Sequence, residues 1–260
     1  MEFLLYLVLG AAAGVLAGLF GVGGGLIIVP VLVFSFQAQG VAPDVLTHLA
    51  VGTSLATIVF TSANSVLAHH RRGAVLWNIV RWLTPGILLG GLLGGATAAQ
   101  LQGPLLQKII GVFAVLMAVQ MGFDVRPKAR RPVPGVAGLV ASGGVIGWAS
   151  AIVGIGGGSI TVPFLTWRSV PMLQAVATSA ACGLPIACAG ALSFIWQGHA
   201  IPNLPSWSLG FVYVPALMGI AATSMIFARF GAQLAHKLPA KVLKRLFALL
   251  LLSVGLTFLF

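Results

Sequence analysis

Acidic residues are nearly missing from this chain of 260 residues: three Asp and Glu stand against 14 Lys and Arg, and only 7% of residues are charged. With so few carboxylates, proton relays built on Asp or Glu, carboxylate cation sites and carboxylate-based hydrolysis all lack their residues. No Lys, Arg, Asp or Glu is placed in the middle of an apolar span. Cysteine is equally scarce. Cys182 and Cys188 lie six apart in an apolar run, in neither a C-x-x-C pair nor a metal-ligand spacing, and read as small buried hydrophobes. No G-x-x-x-x-G-K-[ST] phosphate loop is present, so the chain does not burn ATP by itself. No cofactor is called for, and no catalytic constellation marks an enzyme.

Apolar side chain, by contrast, is abundant. Hydrophobic residues make up 59% of the chain and the mean hydropathy is +1.07. A soluble domain has too little interior for that, and normally carries about 25% charged residues. Charge-free runs near 20 residues recur throughout, the length that crosses ~30 Å of hydrocarbon. The net charge of +11 does not point to nucleic acid, because the basic residues sit in short loops, where they set topology and touch anionic lipid headgroups. Met1–Phe20 lacks a basic leader and an A-x-A-type cleavage site, and is expected to be a retained span.

The chain repeats itself. GVLAGLFGVGGGLIIVPVL (Gly14–Leu32) is answered by GWASAIVGIGGGSITVPFL (Gly147–Leu165), with nine identities at a constant offset of 133. AVGTS (Ala50–Ser54) recurs as AVATS (Ala175–Ser179), Gly73-Ala74 as Gly198-His199-Ala200, and Pro85 as Pro215. The match is colinear, which indicates a duplication: a first membrane repeat over 1–123, a basic cytoplasmic linker over 124–133, and a second repeat over 134–260.

Each repeat is expected to hold a glycine-broken element, re-entrant or discontinuous, and then three transmembrane helices. These fall near Thr47–Ala68, Trp82–Leu101 and Leu105–Phe123, and near Leu173–Trp196, Leu209–Ala228 and Val242–Phe260. The broken element adds an even number of crossings and the three spans an odd number, so the second repeat is inverted. The fold expected is an all-α membrane protein of two inverted-topology repeats. With both termini outside, 13 of the 14 Lys and Arg fall inside and Lys108 alone falls outside, as the positive-inside rule requires.

Three adjacent glycines would weaken a lipid-facing helix, and irregular backbone at membrane depth survives only when buried in protein or lining a watery cavity. A helix that starts anew after such a segment presents unpaired N–H groups and a positive dipole end, which suit an anion. The candidate substrate-binding residues are therefore Gly23, Gly24 and Gly25 with Gly156, Gly157 and Gly158. The competing explanation is close helix packing, which fits Gly14 and Gly18 better than the triplets. Thr53 and Ser54, matched by Thr178 and Ser179, join the site unless their hydroxyls only bond back to their own helices. Ser159 can cap the second restart and face the ligand, and Leu26 stands in its place in the first repeat. Asn64 is either a donor to substrate or helix–helix glue. His48 and His199 fall near outer span ends and His69 and His70 near an inner one, at interface depth, where His can titrate in proton coupling. No metal ligands are indicated, and Arg71, Arg72 and Arg126–Arg131 are foremost topology determinants.

At the doubled GxGGG-x4-VP-x-L segments, at AVGTS and AVATS, and at HHRRGAVLW, the chain resembles the TauE/SafE family of sulfite and organosulfonate exporters over nearly its whole length. The resemblance implies export, or sometimes uptake, of a small sulfur-containing anion across a bacterial inner membrane. A related thiosulfate-uptake family uses cysteines in its pathway, whereas here Cys182 and Cys188 face Thr57 and Ala63 in the repeat alignment. The expectation is a secondary transporter, with an anion channel or an uptake permease for thiosulfate or sulfate as alternatives. Lipid and a second copy of the chain, as a homodimer, complete the expected partners. A single cysteine replacing Lys128 should be labelled by an impermeant maleimide only from the cytoplasmic side; labelling from outside intact cells would refute the inverted topology.

Overall fold

The computed structural model describes residues 2–20, 25–123, 131–202, 204–235 and 240–260. Ten helices follow in order among the described residues: α1 (Glu2–Phe20), α2 (Gly25–Ala38), α3 (Pro43–Arg71), α4 (Trp77–Gln100), α5 (Gly103–Gly122), α6 (Val136–Val153), α7 (Gly158–Trp167), α8 (Met172–Gly198), α9 (Val214–Ala235) and α10 (Ala240–Leu259). A short antiparallel hairpin, β1 (Ser208–Leu209) and β2 (Val212–Tyr213), precedes α9. Five described helices (α3, α4, α5, α6 and α8) are long and apolar enough to span a membrane, and shorter apolar stretches lie in α1, α2, α9 and α10. The protein is an all-α, multi-pass membrane protein. The basic linker lies almost wholly outside the described residues, as do Gly23 and Gly24.

Local chemistry sets the helix ends. Proline occupies the first turn of α3 and of α5, where a missing N–H costs nothing. At the end of α6, Gly154 turns left-handed with φ +74°, and Ile155 N–H reaches back to Ser150 O at 3.0 Å. Ser150 O thus accepts the N–H groups of both Gly154 and Ile155, which closes the helix end. The expectation of a helix from Leu209 is corrected: residues 208–213 form the hairpin, turned at Gly210 (φ +55°), and the helix begins at Val214.

Small residues decide the packing. Gly86, Gly90 and Gly94 on α4 meet the α6 backbone at Val140, Gly144 and Trp148, and a Cβ on any of them would collide with a carbonyl oxygen. Glycine every fourth residue makes a flat stripe on which two helices approach closely, and in lipid such packing replaces the hydrophobic effect as the force between helices. Gly10 and Gly14 of α1 touch α9 at Ile220 and Ser224 in the same manner. The first helix of each half thus lies along a late helix of the other. α3 and α8 cross through the middle, and residues 46–58 of α3 are buried without a break. Leu89 and Leu93 of α4 and Leu249 of α10 stay exposed, as lipid-facing side chains should.

Two buried threonines help to tie the halves together. Thr53 on α3 accepts the backbone N–H of Tyr213 at 2.9 Å, just before α9, and Thr178 on α8 accepts that of Leu76 at 3.0 Å, just before α4. Both hydroxyls are fully buried. Each serves a backbone donor at a helix start that has no intrahelical acceptor. Thr53→Val or Thr178→Val should cost about 1–3 kcal/mol in thermal unfolding of the purified protein, the penalty of stranding a buried donor. Ser253→Ala, which removes an exposed hydroxyl bonded to its own helix at Leu250 O, should cost almost nothing; equal effects from all three would show that the ties are incidental.

Candidate functional site

Between α6 and α7 the helix is interrupted at buried residues 154–157. The first bond of α7 runs from Thr161 N–H to Gly157 O at 2.8 Å, so the N–H groups of Gly158, Ser159 and Ile160 have no partner within the helix. No side chain caps this end. Ser159 is 8% exposed, and among the described residues its hydroxyl has no hydrogen-bond partner, nor have Thr161 Oγ1 and Ser150 Oγ close by in the chain. An unfilled helix N-terminus beside an unsatisfied buried hydroxyl is a donor-rich, weakly positive site.

The walls come from the two central helices. A Cβ on Gly157 would stand 2.8 Å from Ser179 O and 3.2 Å from Gly183 N of α8. Gly183 in turn lies beside Ser62 Oγ of α3, and Gly156 beside Ile58. From the first half, Gly25 opens α2 directly against Gly154 O and Ile155 Cα, at 2.9 and 2.8 Å from its would-be Cβ. Ser54 Oγ donates to that same Gly154 carbonyl at 3.0 Å. The start of α2 and the break before α7 therefore meet.

Of the residues singled out by sequence, Gly25, Ser54, Gly156, Gly157, Gly158, Ser159 and Ser179 fall at or beside this junction. Ser179 is buried and contributes its carbonyl to the contact with Gly157. Thr53 and Thr178 stand on the same helices, with an acceptor lone pair of each hydroxyl used by the loop beyond it. Asn64 lies on an exposed face of α3. The left-handed turn falls on Gly154 rather than on the described members of the triplet, and what Gly157 answers to is the closeness of α8.

A profile of the family described as sulfite exporter TauE/SafE matches residues 6–258. This chain belongs to the TauE/SafE family. A "probable membrane transporter protein" of Haemophilus influenzae is 42% identical over 258 residues, covering 97% of this chain and 96% of its own. Two proteins described in the same words, from Methanocaldococcus jannaschii and Bacillus subtilis, are each 27% identical across 98% of this chain and 96% of theirs. No solved structure matches. Family and relatives are named as membrane transporters, consistent with a protein that moves a solute rather than transforms one.

Four polar residues of this TauE/SafE protein escaped the sequence reasoning. Ser150 and Thr161 align with Ala17 and Ile28 of the first half, and Ser62 with Ala187 of the second, so a search for matched pairs passes over them. His48, expected at the interface, is buried against three carbonyls. Its position near a span end gave no signal of that. Among the described residues, a methyl at Gly156 meets one neighbour, Ile58 Cγ2 at 3.4 Å, whereas one at Gly157 meets the α8 backbone at 2.8 Å. Gly156→Ala should therefore unfold near the wild-type temperature, while Gly157→Ala should lose about 1–3 kcal/mol through overpacking. Equal stabilities in thermal melts would mean that α7 does not rest on α8 as described.

Proposed function

We propose that this protein is a secondary transporter that exports a small sulfur oxyanion, sulfite or an organosulfonate, across the bacterial inner membrane. The observation that carries the proposal is the start of α7, where free N–H groups and the unpartnered Ser159 hydroxyl lie buried at the junction with α2, α3 and α8. A helix N-terminus supplies a partial charge of about half a unit. It attracts a monoanion without holding it as tightly as a buried Lys or Arg would, so release on the far side stays easy. A fixed cation there would also be costly whenever the site stood empty.

The architecture supports two inverted repeats. α1 lies on α9 and α6 on α4, α3 crosses α8, α5 meets α10, and the Thr53 and Thr178 bonds fall at equivalent places in the two halves. Each is the contact that a two-fold axis in the membrane plane would exchange with its counterpart or map onto itself. Carriers of this type bind their substrate between the repeats at discontinuous helices and rock one element against the other. With both termini periplasmic, Arg71, Arg72, Arg131 and Arg168 face the cytosol. Arg131 and Arg168 share the ring of Trp167, at 5.9 and 4.6 Å from its centroid, at the cytosolic end of α7. Such a basic rim gathers anions before they enter.

Flux of sulfite, sulfoacetate, taurine, thiosulfate and sulfate in proteoliposomes tests the proposal. Saturable flux that prefers sulfite or a sulfonate is expected, and Ser159→Ala should raise the half-saturation concentration several-fold, equivalent to one hydrogen bond of about 1 kcal/mol. Non-saturable flux indicates a channel. Unchanged half-saturation in the Ser159 variant moves the site away from α7.

A further inference from the structure

We propose that His48 is a proton-binding latch at the end of the molecule opposite the basic loops, so that proton uptake and release accompany closing and opening at that end. The latch rests on the transport cycle proposed above and names its coupling ion.

His48 lies in the second turn of α3 and is 3% exposed. Its Nδ1 stands 3.0 Å from Asp44 O, and its Nε2 stands 3.0 Å from Ala98 O and 3.1 Å from Leu101 O. All three neighbours are carbonyl oxygens, which only accept. A neutral imidazole carries one N–H, so in either tautomer one ring nitrogen turns a lone pair toward a carbonyl. The doubly protonated ring donates at both ends and satisfies every contact. Ala98 and Leu101 close the C-terminus of α4, where the negative dipole end favours a cation. Burial opposes the charge, so the proton is well held only while these acceptors surround it.

The charged surroundings are sparse. Asp44, one turn earlier on the same helix, is the acidic residue nearest to His48 along the chain. The end of α4 (97–101), the hairpin (208–213) and the last turns of α8 bring no charged side chain to it. Lys108 on α5 and His199 after α8 are exposed.

The other face of the ring carries the mechanical link. Phe211, from the hairpin, stacks on His48 with centroids 5.0 Å apart and planes 27° from parallel. Phe211 N–H is held by Phe194 O at 3.2 Å, and Gly52 of α3 presses on the Phe211 carbonyl. One ring therefore touches α3, the end of α4 and the hairpin, the pieces that meet at this end. Solvent reaches it only when the hairpin or α4 moves away. If the closed arrangement binds the proton more tightly than the open one, then by linkage a lower pH on that side favours closure.

Accessibility of the hairpin reads this directly. Val212 is 2% exposed, so Val212→Cys, in a Cys182→Ala, Cys188→Ala background, reports opening through maleimide labelling in lipid nanodiscs. Rates are normalised to Gln102→Cys, exposed at the same end, and compared at about pH 8 and about pH 6, across the ordinary imidazole range. The proposal expects several-fold slower relative labelling at the lower pH, fast pH-independent labelling in His48→Asn, and slow pH-independent labelling in His48→Lys, which keeps a charged donor. A wild-type ratio that ignores pH, or a pH response that survives in His48→Asn, overturns it. Should His48→Asn fail to fold, a pH response persisting in His48→Lys overturns it equally. Labelling needs no substrate: failure of every anion in the flux panel leaves this outcome readable, and pH-independent labelling beside saturable sulfite flux sinks the latch alone.

Discussion

Inside a bilayer every backbone N–H and C=O that leaves a regular helix must find a partner within the protein, because hydrocarbon offers none. The helical path of this protein is interrupted between α6 and α7, and four of its buried polar side chains serve that break or a helix end. Ser54 binds the carbonyl of Gly154. Thr53 and Thr178 accept the N–H groups that precede α9 and α4. His48 covers the carbonyls at the end of α4. With these obligations met, donors remain at the start of α7, where the proposal places the ligand.

The two halves share a plan and differ where chemistry is needed. Leu26 and Ile28 stand in the first half where the second has Ser159 and Thr161, and both apolar residues are buried. Duplicated packing preserves the frame, while the hydroxyls collect on one side of the junction. On the proposal above, an oxyanion at the junction would meet donors from α7, with the apolar Leu26 and Ile28 of α2 in the corresponding positions of the first half.

Much of the frame was legible in the primary structure, because its causes are local or periodic. Runs of apolar residues near 20 long announce spans, Pro43 and Pro104 announce helix starts, and GIGGGS announces a break. The site was legible in part. Gly156, Gly157 and Ser159 stood out through their composition and the repeat, yet a matched pair of threonines carries the same letters whether it faces a ligand or a loop. Asn64 shows the same limit: from sequence an amide within a span is either a donor to substrate or helix–helix glue, and the face it occupies, exposed on α3, is set by the packing.

What the sequence determined by itself was membrane residence, the recurrence of the GxGGG-x4-VP-x-L segment and the excess of basic over acidic residues, since each follows from composition and order along the chain without reference to distant contacts. Tertiary structure alone decided which hydroxyls have partners. Thr53 is paired across 160 residues and Thr178 across 102, whereas Ser159 has none. It likewise decided that His48 faces three carbonyls and an aromatic ring. A hydrogen bond acts over about 3 Å, and which groups come within that reach is settled only when the helices of the two halves pack together.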